Sequence, residues 1–319
     1  MRLITLEEHF TTGFYEQATE AQQTPFDRSW MKEKLRDICQ GRVDAMDRAG
    51  IDMQILSFTG FGLYELRHDM ASEITHDANN QIHSAMKAYP GRFQGFAALV
   101  MQRPNAAKEL EYCVKTLGFV GAMVDGTVNG EFLDNHRYWP VFEAASALDV
   151  PIYLHPAPPP EAVRKAYSGD LRPPLDFLLS TAAWGWHAET GLHALRLMVS
   201  GLFDRFPNLK IIVGHMGENL PFSIVRANTV LSGANLKLQR SPLEVFRQNF
   251  WITTSGYFSV PPLICAREVL GSDRIMLSLD YPFSDLENGP RFLSELGETL
   301  PLEEVEAIAG GNAERLLRL

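Results

Sequence analysis

Leu3-Ile4-Thr5-Leu6-Glu7-Glu8-His9 is a short β-like run that ends in two carboxylates and an imidazole. The pattern recurs along the chain. Pro151–Leu154 leads into His155, Leu209–Gly214 into His215-Met216-Gly217-Glu218, and Arg274–Leu279 into Asp280. In a barrel of parallel strands, residues that follow strands meet at the C-terminal rim, where such folds keep their chemistry. A carboxylate, two or three imidazoles and an aspartate converging there suit a divalent metal with an open coordination position.

Between these runs the sequence alternates strand-like and helix-like segments. Strands are predicted at Leu3–Leu6, Met53–Ser57, Phe93–Leu99, Val120–Val124, Pro151–Leu154, Leu209–Val213, Phe250–Thr253 and Ile275–Leu279. Apolar periodicity predicts helices over Lys32–Ala49, Ala71–Tyr89, Ala106–Leu117, Trp139–Leu148 and Glu189–Phe203. Eight strands interleaved with helices over 319 residues describe a single-domain (β/α)8 TIM barrel spanning 1–319. The competing open doubly wound sheet lacks its usual support, because no Gly-x-Gly-x-x-Gly follows the first strand. Thr11–Ser29 and the proline-rich Pro156–Pro174 read as long loops that suit a lid or a pocket wall.

Composition narrows the function classes. Hydrophobic residues make up 45% and charged residues 21%, ordinary values for a globular chain with a sizeable core. A net charge of −10 argues against nucleic acid or an anionic membrane as partner. Three scattered cysteines give no disulfide framework, and no signal-peptide or membrane-span pattern is read, so a cytoplasmic location is expected.

Glu7 and His9 are two apart on a strand and point to one face, with Glu8 on the other. His155 supplies a third metal ligand and Asp280 could complete the shell. No lysine ends a predicted strand, which leaves no bridging ligand for a second metal, so one divalent ion and no organic cofactor are expected. Zinc, manganese, magnesium and iron(II) stay open. His215 and Glu218, three apart, can form a hydrogen bond that orients the imidazole. Arg226, eight residues further on, could pair with a substrate carboxylate or with a neighbouring one. His187 precedes a helix and is expected to line the pocket, whereas His193, beside Leu192 and Leu195, reads as a core residue.

The motifs Leu6-Glu7-Glu8-His9-Phe10, Tyr153-Leu154-His155-Pro156, Gly214-His215-Met216-Gly217-Glu218 and Ser278-Leu279-Asp280-Tyr281-Pro282-Phe283 resemble the aromatic-acid decarboxylase branch of the amidohydrolase superfamily. The motifs are similar to those of gamma-resorcylate (2,6-dihydroxybenzoate) and 2,3-dihydroxybenzoate decarboxylases. The resemblance implies an amidohydrolase-like barrel with one divalent ion on Glu7, His9, His155 and Asp280. It also implies a catalytic His215–Glu218 pair, Asp280 as proton donor and Arg226 as a substrate contact. The implied reaction is reversible, non-oxidative decarboxylation of a 2-hydroxybenzoate-type acid, releasing CO2, in a homodimer or homotetramer.

Two departures stand out. Val124-Asp125 replaces the Val-Asn of such relatives, and His155-Pro156-Ala157-Pro158-Pro159 replaces their His-Pro-Arg-Asn-Pro. Asp125 could therefore read a further ring substituent, or only cap a turn. Two rival functions remain: a mononuclear metal-dependent hydrolase of a lactone or amide, and a non-catalytic barrel that binds metal or an aromatic ligand.

Overall fold

The computed structural model describes residues 1–19, 31–60 and 63–319. Eight strands run parallel in sequence order: β1 (Ile4–Phe10), β2 (Met53–Phe58), β3 (Phe93–Ala98), β4 (Gly121–Asp125), β5 (Ile152–His155), β6 (Ile211–Val213), β7 (Phe250–Thr253) and β8 (Ile275–Met276). β1 meets β8 through a parallel bridge from Leu6 to Ser278, so the sheet closes on itself. The seam is reinforced where the His9 N–H donates to the Tyr281 carbonyl at 2.7 Å. All eight predicted strands form, and the expected TIM barrel is the fold.

Alternation along the strands sorts side chains into two cores. Ile4, Leu6, Met53, Ile55, Phe96, Met123, Tyr153, Ile212 and Met276 fill the barrel interior. Leu56, Ala97, Val124, Leu154, Val213 and Ile252 pack outward against the helices. The interior cluster also takes in Ala313, Leu316 and Leu317, so the C-terminal helix Asn312–Leu317 caps one mouth of the barrel. The opposite mouth, at the strands' C-terminal ends, is left for the site.

Several helices differ from expectation. Lys32–Ala49 is two helices, Lys32–Arg36 and Gln40–Ala49. Asp37 is extended between them, and its carboxylate accepts the Cys39 N–H. A short polar side chain competing for backbone donors is what breaks the periodic run. Glu189–Phe203 starts earlier and ends earlier, at Gly185–Val199, and Leu202–Arg205 follows the left-handed Gly201. The supposed loop Pro156–Pro174 contains the helix Glu161–Ser168, and Leu175–Ser180 forms another just beyond it. Within Thr11–Ser29, Gly13–Thr19 is helical, and 20–29 lie outside the described residues. Among the described residues no helix is long and apolar enough to cross a membrane.

Candidate active site

β1 carries a register irregularity between Thr5 and Glu8, and Glu7 adopts φ +60°. A bulge of this kind at a barrel rim re-aims a side chain. Glu7 thereby points into the barrel mouth, where the Tyr153 and Ser255 hydroxyls both donate to its Oε2. Gly214 makes room for this cluster, since a Cβ there would stand 2.6 Å from Glu7 Oε2.

Glu7 Oε1 is left buried with no hydrogen-bond partner. It lies 3.3 Å from His155 Nε2, 3.8 Å from His215 Nε2 and 4.0 Å from His9 Nε2. Each metal-facing imidazole is held from behind. Ser57 Oγ is 3.1 Å from His9 Nδ1, and Asp125 Oδ1 is 3.0 Å from His155 Nδ1. Asp280 Oδ1 is 3.3 Å from His9 Nε2. Metal–ligand bonds of about 2.0–2.2 Å set neighbouring ligand atoms roughly 3–4 Å apart, so these spacings fit one ion. An orphaned carboxylate oxygen is costly to bury unless a cation meets it. Glu7, His9 and His155 therefore make a candidate metal-binding cluster.

The His215 side of the site is a strained turn. His215, Glu218, Ser255 and Asp280 all have positive φ, from +28° to +62°. Such conformations cost about 1–3 kcal/mol each and gather where function over-determines the backbone. His215 Nδ1 lies 2.7 Å from Glu218 Oε1, which turns Nε2 toward Asp280 Oδ2 at 3.9 Å. Burial disfavours a charged His215, yet Glu218, Glu7 and Asp280 outweigh it and hold the imidazole well above its ordinary pKa. Burial also opposes ionisation of Asp280, but hydrogen bonds from His215 and His9 prevail and bring its pKa down to about 2. In the metal-free chain these opposite shifts favour a proton on His215 over one on Asp280.

His9, His155, His215 and Asp280 line a cavity of about 150 Å³ whose far wall is Met31, Phe177, Leu178, Ala182, Trp186 and Phe283. Three expected substrate contacts fall elsewhere. Asp125 spends Oδ1 on His155, its strand neighbour in the β4–β5 register. His187 is buried behind the cavity, against Glu218 and the Ala182 carbonyl. Arg226 is exposed on the helix Leu220–Ser232 and does not reach this pocket.

The sequence reading missed Tyr153, Ser255 and Ser57, which look like ordinary strand-end residues until the barrel closes. It also missed Glu8. Facing away from the pocket, Glu8 accepts the Leu279 N–H at 3.0 Å and the Tyr281 N–H at 3.3 Å, and so fixes both neighbours of Asp280.

The amidohydrolase family model matches residues 9–319. The chain belongs to the amidohydrolase family. Gamma-resorcylate decarboxylase from Polaromonas sp. (strain JS666) is 39% identical, with 99% of this chain and 98% of that protein covered. Decarboxylase orsB from Emericella nidulans is 38% identical over 99% of this chain and 97% of its own length. The crystal structure of a dihydroxybenzoic acid decarboxylase from Polaromonas sp. JS666, with manganese and the inhibitor 2-nitroresorcinol, superposes with a TM-score of 0.90. It is 37% identical, and 100% of this chain and 97% of that one are covered. Within the amidohydrolase family this chain therefore falls among the aromatic-acid decarboxylases, carbon–carbon lyases, and not among the hydrolases.

Proposed function

We propose that the chain decarboxylates a 2-hydroxybenzoate-type acid, such as a dihydroxybenzoate, without oxidation and reversibly. One divalent ion would be held by Glu7, His9, His155 and Asp280. The observation that carries this reading is the orphaned Glu7 Oε1, which converges with two back-supported imidazoles beneath an aromatic-walled cavity. When bound, the ion supplies Lewis-acid charge that anchors a carboxylate with its ortho oxygen and favours the ionised phenol.

The chain's own residues do the rest. Phe177, Leu178, Trp186 and Phe283 hold the ring and exclude water. His215 stores a proton on Nε2, within 3.9 Å of Asp280 Oδ2. From there the proton passes through Asp280 to the ring carbon that bears the carboxylate. The bond from that carbon to the carboxylate then breaks, its electron pair restores aromaticity, and CO2 leaves. Protonation before cleavage avoids a free aryl anion.

The protein would work as a homodimer or homotetramer, a reading supported by Phe222 (88% exposed), Val225 and Val230 on one outer helix. Sedimentation showing a monomer would remove that part. The reaction itself is tested by incubating metal-loaded protein with hydroxybenzoates and measuring CO2. Release only from acids with an ortho hydroxyl supports it. Turnover of lactones or amides in its place would overturn it.

A further inference from the structure

His187 stands behind the pocket, 3% exposed, and makes two hydrogen bonds that fix its chemistry. It sits in the first turn of the helix Gly185–Val199, which presses onto the His215–Glu218 turn at Gly191. A Cβ on Gly191 would lie 2.6 Å from the Glu218 carbonyl oxygen, so only glycine lets the helix this close. That approach brings His187 Nδ1 to 2.7 Å from Glu218 Oε2, while Nε2 lies 2.9 Å from the Ala182 carbonyl. A carbonyl only accepts, so Nε2 must carry a hydrogen. Glu218 is held below the usual carboxylate range despite its burial, chiefly by His215 and His187. An ionised carboxylate also only accepts, so Nδ1 must carry a hydrogen as well.

We propose that His187 is a positioning residue, a doubly protonated imidazolium whose bridge from Ala182 to Glu218 locks the carboxylate that in turn aims His215 at the substrate. One oxygen of Glu218 then serves each imidazole, and neither is free to swing. His187, His215 and Glu218 lie close enough together to suggest a second metal site. Yet both nitrogens of His187 and Nδ1 of His215 are spent on hydrogen bonds, which leaves no convergent lone pairs. The other neighbours of the bridge are Tyr257, edge-on to His187 at 5.5 Å, and on the far side of His215 the Glu7 and Asp280 carboxylates. Because Ala182 itself lines the cavity, the same imidazolium ties the pocket wall to the proton-handling pair.

The kinetic arm of the test rests on the decarboxylase reading, and a spectroscopic arm does not. His187→Phe keeps a ring but donates nothing, and His187→Gln keeps one neutral donor. In His187→Phe, kcat should fall at least about tenfold while KM stays within about twofold and metal content is unchanged, with part of the rate recovered in His187→Gln. Nitrogen-15 spectra of histidine-labelled wild-type protein should show a buried imidazole protonated on both nitrogens, absent from either variant. Unchanged kcat in His187→Phe would overturn the proposal, as would a several-fold rise in KM at constant kcat, the mark of a substrate contact. A neutral His187 in the spectra would overturn it even if His187→Phe fails to fold. If wild-type protein releases no CO2 from any hydroxybenzoate, the decarboxylase reading falls, and the spectra still decide the state of His187.

Discussion

Asp125 faces His155 because β4 and β5 pair in register at those two residues. The 3.0 Å contact to Nδ1 fixes the ring so that Nε2 is presented to the metal position. Partners of this kind typically change metal affinity about 10–100-fold when removed. Asp125→Ala should therefore weaken metal binding by that order, measured by competition with a chelator, while Asp125→Asn, which can still accept from Nδ1, should lose less. Full metal affinity in Asp125→Ala, with an altered ranking of ring-substituted acids, would restore the ring-reading role expected from sequence. For the proposed acid–base pair, Asp280→Asn and His215→Ala should each lower turnover at least about a hundredfold with the fold intact, as positioned acid–base groups do. Near-normal turnover in either variant with saturating metal would break the proposed proton route. The residues of the candidate metal site were legible because each is a polar residue at the end of an apolar run. Tyr153 and Ser255 were not, since their role depends on Glu7 arriving from the other end of the chain.

At the scale of elements, the turn after β6 shows how little slack the site has. Gly214 itself has ordinary extended dihedrals, so its requirement is space for Glu7 and not backbone freedom. Gly214→Ala should cost about 1–3 kcal/mol by overpacking and displace Glu7. The expected signature is loss of bound metal with a modest drop in melting temperature, and a variant that keeps full metal would refute the crowding argument. The helix Gly185–Val199 carries a different load at His193, whose Nε2 accepts the Leu133 N–H at 2.9 Å. Burial pushes this imidazole down to about 3. Below roughly pH 6.5 the unfolded chain binds a proton there that the folded chain refuses, so stability falls as pH drops from about 6.5 toward 3. His193→Gln should flatten that acid limb in urea titrations, by an amount on the order of a few kcal/mol. An unchanged limb would mean that His193 is protonated in the fold. The strands were readable because parallel strands covered on both sides are near-continuous apolar runs. Helix ends were less so, because one aspartate at 37 or one glycine at 201 ends a helix whose apolar period runs on.

For the whole molecule, the weakest place in the barrel is where its first and last strands meet. β8 is only two residues long, and its contact with β1 is a bridge and a few hydrogen bonds. Glu8 from one side of the seam holds the backbone of 279 and 281 on the other. Arg42, itself buried, donates to the His9 carbonyl at 2.7 Å and lies over the Tyr281 ring. The proposed metal ligands repeat the pattern, with Glu7 and His9 on β1, Asp280 after β8, and His155 across the barrel on β5. An ion bound by all four would therefore staple the closing seam as well as serve the reaction. A ligand that binds only the folded state adds about 2.7 kcal/mol at a hundredfold excess over its dissociation constant. For a chain of 319 residues that corresponds to a rise of roughly 4 °C in melting temperature. Stripping metal with a chelator should lower the midpoint by that much, and adding manganese or zinc back should restore it in proportion to the logarithm of free metal. In His155→Ala, which leaves the seam's hydrogen bonds in place but breaks the ligand set, that dependence should largely vanish. If wild-type protein melts at the same temperature with and without metal, the ion does not hold the barrel closed, and the hydrogen bonds of Glu8 and Arg42 must carry the seam alone.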